Sequence, residues 1–381
     1  MPEVMKTFNF LQTSTHIKRS ISLDQYLLKQ YYQGDDENRL RGSEEMRFRY
    51  RSKEYLPNSL TKNNHKIIPD AENECYLGQC YRMKTNSSDK YEEYFNPTTK
   101  ISPFIYKFIT TGVNICNKTS PYLIILIPSI PENKNNRDAI RNSWGSVAAG
   151  TIWPNDKLDV KVKLAFLLGK SRSPIIDKSI KQEILDEGDI VQGNFIDSYY
   201  NLTLKILLGL KWVSQYCNEA EYVLKADADT FVYLPRLVDT LRQHSVGIEG
   251  RIFGNTVPGA KVKRSGKWQV KKSVYPFSHY PTYVYGNTYV LSANIVSRLF
   301  RNSEYMPYIP IEDAFITGIL AKVIETEITH VVGFTFWLDK PPKTCDFVSD
   351  KKISGTKCSS QLMLYMWEQM RSGDLICKKK S

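Results

Sequence analysis

The sequence predicts an α/β fold in which a central, mostly parallel sheet is flanked by helices. The first observation is the apolar run 122–127, which lacks polar alternation and is typical of a strand buried on both faces. The second is the order strand, helix, strand, helix, strand that follows it, which favours a parallel sheet. The third is size, because 381 residues with 41% hydrophobic content can bury a large core.

The individual elements follow from hydrophobic periodicity and from helix start and stop signals. Strands are predicted at 122–127, 163–168, 190–191 and 222–224, and helices at 137–145, 175–187, 201–216, 235–243, 292–300, 312–323 and 361–371. An edge strand is expected at 267–270, and Ser292 is expected to cap the helix that follows it. The aromatic stretch 275–290 is either a rigid wall for a sugar or base, or a core hairpin.

The first 99 residues are rich in charge, Asn, Tyr and Gln and lack strong periodicity. We expect a poorly ordered stem there, with a short helix near 23–32, and a folded domain over 100–381. No apolar run approaches the roughly 20 residues that a spanning helix needs. Membrane association would therefore require an anchor that is absent from this chain.

The charge balance is basic, with 52 Lys and Arg against 40 Asp and Glu and a net charge of +12. Such a balance favours an anionic partner, such as a nucleic acid, a membrane surface or a nucleotide. The basic residues are scattered and accompany no nucleic-acid-binding signature, so we expect no nucleic-acid partner.

Cysteine usage indicates an oxidising compartment. The seven cysteines are widely spaced and form no Cys-x-x-Cys pair, which argues against zinc and for long-range disulfides. Cys75 and Cys80 could close a small loop. The sequons at Asn86, Asn117 and Asn201 fit passage through the secretory pathway.

Asp227 and Asp229 directly follow the predicted strand 222–224. Alternate residues of an extended chain point to the same side, and open α/β sheets bind ligands beyond the carboxyl ends of their strands. Two hard oxygen ligands there suit Mg²⁺ or Mn²⁺, which complete their shells with water and substrate phosphates. Taken alone, such a pair is more often a solvated turn.

Two further pairs of charged residues are candidate site residues. Arg137 and Arg141 lie four apart, so they share a helical face and could hold phosphate, although two solvated arginines are the simpler interpretation. Glu312 and Asp313 open a predicted helix. They are either acids favoured by the helix dipole or carboxylates presented at the mouth of a site.

Five segments, in this order, resemble the β-1,3-glycosyltransferase family, which holds β-1,3-galactosyltransferases and β-1,3-N-acetylglucosaminyltransferases. They are 137–145 (Arg-x-x-Ile-Arg-x-x-Trp-Gly), 166–170 (Phe-Leu-Leu-Gly-Lys), 197–205 (Asp-Ser-Tyr-x-Asn-Leu-Thr-x-Lys), 223–232 around the aspartates, and 280–292 followed by Glu312-Asp313. The segment 367–377 is also similar. The resemblance therefore covers about residues 100–377.

The resemblance implies a GT-A fold, a UDP-sugar donor, a glycan acceptor and Mn²⁺ as cofactor. By position, Asp229 would be the direct metal ligand, and Asp227 would contact metal-bound water or the ribose. Asp313 would be the catalytic base. The remaining expected contacts are Lys225, Arg137 and Arg141 at the UDP, and Glu312, Tyr283 and Gly286 at the substrates; Cys116, Cys217, Cys345 and Cys377 match the family's disulfide cysteines.

The chain departs from the family pattern at three positions. Ala228 stands in the middle of what is commonly a run of three aspartates. Thr288 replaces the second glycine of a Gly-x-Gly, and would be strained if that position needs a positive φ. Thr356 stands where many members place a metal-binding histidine, and the alternatives His279 and His330 are more typical of structural histidines.

From these residues we expect an inverting hexosyltransferase on the lumenal side of the Golgi membrane. It would move a hexose, with galactose favoured, from a UDP-sugar to a glycan hydroxyl in β-1,3 linkage. Two alternatives stay open. One is a UDP-N-acetylglucosamine-dependent β-1,3-transferase, and the other is a catalytically silent glycan-binding relative, which the missing histidine and Ala228 motivate.

Overall fold

The computed structural model describes residues 73–76, 79–82, 88–112, 114–117, 119–244, 250–349, 352–373 and 375–377. Contacts divide the chain into the units Met1–Ile68 and Pro69–Ser381, and all described residues belong to the second. The helix predicted near 23–32 lies outside them. Within the described ranges, no helix is both long and apolar enough to cross a bilayer.

Strands and helices alternate through the first half of the described domain, as predicted. The strands are β1 (Asn73–Tyr76), β2 (Gln79–Arg82), β3 (Phe108–Thr110), β4 (Leu123–Pro128), β5 (Val162–Lys170), β6 (Ile190–Ile196), β7 (Tyr222–Ala226), β8 (Phe231–Val232), β9 (Arg251–Val257), β10 (Tyr283–Ser292), β11 (Glu327–His330) and β12 (Ser354–Gly355). The α-helices are α1 (Ser88–Phe95), α2 (Lys134–Arg141), α3 (Pro174–Glu187), α4 (Leu202–Tyr216), α5 (Leu234–His244), α6 (Ala293–Ser303), α7 (Leu320–Val323), α8 (Thr344–Val348) and α9 (Ser360–Ser372). Short 3₁₀ segments lie at Trp144–Ala149 and Tyr199–Asn201, and a π-helical segment at Ala314–Ile319.

A mixed eight-stranded sheet with the order β11-β9-β10-β7-β4-β5-β6-β3 forms the centre. Strand β4 pairs in parallel with β5 and β7, and β5 pairs in parallel with β6. Strand β10 runs antiparallel to both β7 and β9. The carboxyl ends of β4 to β7 therefore share one edge with the connection between β9 and β10. This arrangement confirms the predicted α/β class and defines the edge at which ligands bind in such sheets.

Strand β4 is buried along its whole length because both faces of the sheet are covered. Ile124 and Leu126 pack in the cluster that contains Leu208 of α4. Ile125 and Ile127 pack on the opposite side of the sheet. Each such side chain contributes roughly 1.5–3 kcal/mol, so an uninterrupted apolar run is what this position requires.

Two local predictions are wrong. Residues 267–270 form a turn rather than a strand, because the Arg264 guanidinium donates to the carbonyls of Val270, Tyr275 and Phe277 and folds this connection back on itself. Ser292 stands at the start of α6, but its hydroxyl accepts from the Arg251 backbone N–H at 3.0 Å instead of capping the helix.

Helix α1 precedes the predicted domain boundary at residue 100, yet it packs on the folded domain. Tyr91 and Phe95 are buried against Phe277, with ring centroids 4.9 and 6.2 Å away. Tyr275 and Tyr280 are also buried, so most of the aromatic stretch is core. This resolves the alternative left open for 275–290 in favour of packing.

Disulfides join the four cysteines that match the family positions, as Cys116–Cys217 and Cys345–Cys377. Cys75 and Cys80 are Cα partners across the β1–β2 hairpin.

The two described sequons differ in accessibility. Asn117 is exposed. At the other sequon, Asn201 donates to the Ile196 carbonyl, and the buried Thr203 hydroxyl donates to that of Ile309. Asn117 is therefore the better glycan acceptor of the two.

Candidate active site

The two aspartates lie in a tight turn directly after β7, not on extended chain as predicted. The Thr230 N–H donates to the Asp227 carbonyl at 3.0 Å and closes this turn. Ala228, in its middle, packs against the apolar core. An aspartate at that position would bury a charge, so alanine suits this packing.

Lys225 is the buried centre of the site. Its ammonium donates to Asp227 Oδ1 at 2.5 Å and to the Gly286 carbonyl, and it lies 3.7 Å from Glu312 Oε2. Burial by itself would lower the pKa of Lys225, but the charges of Asp227 and Glu312 outweigh it and raise the pKa. Lys225 is thus a fixed positive charge that holds these two carboxylates and β10 together.

Asp229 carries the strain of like charge. Burial and the neighbouring Asp227 carboxylate raise the pKa of Asp229 to about 6, against a hydrogen bond from the Lys357 backbone. A divalent cation would relieve this repulsion. No cluster of three or more His, Cys, Asp or Glu exists among the described residues, so the protein offers two carboxylates. This donor set fits Mn²⁺ or Mg²⁺ completed by water and phosphate oxygens.

Asp313 lies at the start of the π-helical segment Ala314–Ile319. Its Oδ1 accepts from the Ala314 N–H at 2.8 Å, and its Oδ2 accepts from the Gly286 N–H at 3.1 Å. Burial raises the pKa of Asp313 above its usual range. A β-carbon on Gly286 would lie 3.0–3.2 Å from the Asp313 side chain, so the glycine permits this close approach.

Glu312 faces the protein interior. It is 4% exposed and accepts from the Tyr289 hydroxyl at 2.6 Å. Burial raises the pKa of Glu312 to about 7, although Lys225 opposes the shift. The expected substrate contact is therefore replaced by a buried contact with Tyr289 and Lys225. Tyr283 is half-buried, and the Asp313 charge adds to the burial that raises the pKa of its hydroxyl, so it lies near the base.

The expected phosphate contacts of Arg137 and Arg141 need correction. Arg137 is fully buried and donates five hydrogen bonds, the full capacity of a guanidinium: two to Glu183 and one each to Ser129 Oγ and the carbonyls of Ile130 and Pro131. Arg141 donates to Asp138 and Asp189 and lies 2.8 Å from Glu183. Both arginines instead fix the loop that follows β4.

A second internal ion pair joins three strand ends at the same edge. The Lys205 ammonium donates to Asp197 Oδ1 at 2.8 Å and to the Ser129 carbonyl at 2.5 Å. Asp197 Oδ2 accepts from the Gly169 N–H at 2.7 Å. These contacts explain why charged and glycine residues recur after β4, β5 and β6, since each ties one strand end to the next.

Sequence reasoning missed Asn287. Its side-chain amide donates to Asp227 Oδ2 at 3.3 Å and to Thr356 Oγ1 at 3.0 Å, and its carbonyl accepts from the Asp227 N–H. Thr356 thus lies one side chain away from Asp227. Only the single-residue spacing after Gly286 pointed to Asn287 in the sequence.

The other questioned positions are structural. Thr288 is paired with Ala226 within β10 and is not among the described residues with positive φ, so the feared strain is absent there. His330 lies in β11, where its Nδ1 is 3.3 Å from the Thr256 N–H. His279 is bridged to Lys261 within the connection between β9 and β10.

The structure thus brings Asp227, Asp229, Asp313 and Lys225 to the carboxyl edge of a mostly parallel sheet. This combination defines an α/β protein with an acidic, cation-compatible site at the position where such sheets bind nucleotides.

Residues 135–332 match the family model described as Galactosyltransferase. Beta-1,3-galactosyltransferase 1 of Mus musculus is 32% identical over 242 residues, which are 63% of this chain and 72% of the relative. Beta-1,3-galactosyltransferase 5 of Pan paniscus is 34% identical over 240 residues, 61% of this chain and 76% of the relative. The chain therefore belongs to the galactosyltransferase family and is a hexosyltransferase enzyme.

Proposed function

We propose that this enzyme transfers galactose from UDP-galactose to a glycan hydroxyl, in β-1,3 linkage and with inversion at the anomeric carbon. The observation that carries the proposal is the pairing of two carboxylate centres. Asp313 is held through Gly286 to Lys225, and Lys225 holds Asp227 beside Asp229. One centre handles a proton, and the other lies beside a diphosphate.

Asp313 is the proposed base. The acceptor oxygen attacks the anomeric carbon while its proton passes to Asp313, and the sugar–phosphate bond breaks with its electron pair leaving on UDP. Burial raises the pKa of Asp313, which makes it a stronger base than an exposed aspartate. Its hydrogen bonds from Gly286 and Ala314 orient the carboxylate before the substrate arrives.

Asp229, with Asp227, is the proposed holder of Mn²⁺. When bound, the ion supplies charge neutralisation for the departing diphosphate. The protein's own part is orientation: Lys225 and Asn287 each bond one oxygen of Asp227 and fix that carboxylate. Tyr283 and Gly286 lie beside Asp313 and are proposed to border the substrates.

We infer a lumenal, Golgi-type location for this activity. Two disulfides and the exposed Asn117 of a sequon support passage through an oxidising secretory compartment.

A donor-by-acceptor screen tests the proposal. Release of UDP is measured from UDP-galactose and UDP-N-acetylglucosamine, with Mn²⁺ or with chelator, over a panel of β-linked glycosides. Linkage analysis of the product follows. We expect Mn²⁺-dependent transfer from UDP-galactose and a β-1,3 product. Preference for UDP-N-acetylglucosamine would favour the alternative donor. A well-folded protein that uses no donor would be a silent glycan-binding relative.

A further inference from the structure

Three side chains at the same sheet edge take no part in the chemistry described above. The Trp268 Nε1–H donates to the Tyr199 hydroxyl at 3.0 Å. The Lys267 ammonium lies 4.4 Å from the centroid of the Tyr199 ring and 5.7 Å from that of Trp268. Tyr199 is 44% exposed and Trp268 41%. Two large aromatic rings are therefore held in a fixed, half-open arrangement around one ammonium group.

The Trp268–Tyr199 bond crosses the edge on which the aspartates lie. Tyr199 follows β6, whereas Trp268 belongs to the connection between β9 and β10. In the sheet, β10 and β6 are separated by β7, β4 and β5, which is roughly 19 Å at ordinary strand spacing. The connection must therefore reach across the carboxyl ends of the intervening strands to make this contact.

Contacts next to Tyr199 place it close to the proposed base. The Tyr308 hydroxyl donates to the Tyr200 carbonyl at 2.7 Å, and the Thr203 hydroxyl donates to the Ile309 carbonyl at 2.9 Å. The segment tied down by these bonds leads within four residues to Asp313. In agreement, burial raises the pKa of Tyr199, and the charges of Asp313 and Asp227 add to the rise.

We propose that Tyr199, Lys267 and Trp268 form the acceptor subsite and bind the pyranose ring whose hydroxyl is presented to Asp313. The inference rests on the proposed transfer to a glycan hydroxyl. Exposed aromatic faces carry negative charge density, which attracts the polarised C–H groups on the flat face of a sugar ring. Lys267 supplies three N–H donors for ring hydroxyls. The ligand is therefore a glycoside with an open apolar face.

Direct binding tests this subsite without requiring turnover. Benzyl β-N-acetylglucosaminide and benzyl β-galactoside are titrated calorimetrically into the protein with UDP and Mn²⁺ present. We expect Trp268→Ala to weaken binding of whichever glycoside binds by about tenfold, because a stacked ring is lost. Trp268→Phe keeps an aromatic face and is expected to lose about threefold or less. Tyr365→Ala, which removes an exposed tyrosine of α9, is the matched control and leaves binding unchanged.

Kinetics separate this inference from the proposed function. In an active enzyme, Trp268→Ala raises the acceptor KM about tenfold and leaves the UDP-galactose KM and the acceptor-independent hydrolysis of UDP-galactose unchanged. The subsite is overturned if Trp268→Ala binds glycosides as wild type does, if wild type binds neither glycoside, or if the donor KM rises as much as the acceptor KM. Active wild-type transfer with an unchanged variant sinks the subsite alone, whereas binding without transfer from any donor sinks the proposed function alone.

Discussion

Substitution of Gly286 by alanine is the sharpest local perturbation of the site. The added β-carbon would lie 3.0 Å from Asp313 Oδ2 and 3.1–3.2 Å from its Cβ and Cγ, where ordinary contact begins at 3.4 Å. Asp313 must therefore retreat by about 0.4 Å, and its hydrogen bond from Gly286 lengthens beyond 3.1 Å. A misplacement of about 1 Å can cost 10²-fold in rate, so we expect kcat to fall roughly tenfold.

The assay is initial-rate transfer from UDP-galactose, with UDP affinity measured in parallel. Gly254→Ala is the control, since its β-carbon would also meet a neighbour at 3.0 Å, but that neighbour is Val284 Cβ. We expect Gly286→Ala to lose kcat with unchanged UDP affinity, and Gly254→Ala to keep kcat. Equal kcat values for Gly286→Ala and wild type would refute the argument that this contact sets the position of the base.

Three further changes test the electrostatics. Arg137→Met strands Glu183 in the core, so urea unfolding should show a loss of about 3–5 kcal/mol; an unchanged stability would contradict the buried ion pair. Glu312 has a pKa raised from 4.5 to about 7 by burial, so wild type loses stability as pH rises through that window, by about 3 kcal/mol at most. Glu312→Gln should lack this loss, and parallel unfolding curves from pH 5 to 8 would count against it. Thr356→His places an imidazole one side chain from the metal-binding aspartates, so the Mn²⁺ concentration for half-maximal activity should fall about tenfold; no change would argue against that proximity.

The sequence predicted the sheet well because burial on both faces leaves a direct record. Strand β4 has no polar position, and the helices between the parallel strands carry apolar faces at helical spacing. The connection between β9 and β10 left no such record. Its path is set by Arg264, which bonds three carbonyls far along the chain, and no local pattern announces such contacts.

The site was predicted in part for a similar reason. Asp227, Asp229 and Asp313 stand at strand and helix ends, where acidic residues are conspicuous. The arginine pair was misjudged because helical spacing shows that two side chains share a face, but not whether that face meets solvent. Glu183 and Asp189, 46 and 48 residues beyond their partners, turn that face inward. Asn287 was missed because its role depends on a pairing across strands.

The proton-accepting role of Asp313 is the central claim, and one substitution tests it most directly. Asp313→Asn keeps the size of the side chain, so UDP-galactose affinity measured calorimetrically with Mn²⁺ should stay within twofold of wild type. Turnover should fall by about 10²–10⁴-fold because no base remains to take the acceptor proton. Asp346→Asn, at another helix start where the acid accepts a backbone hydrogen bond, should leave turnover intact. Wild-type turnover in Asp313→Asn would contradict the account.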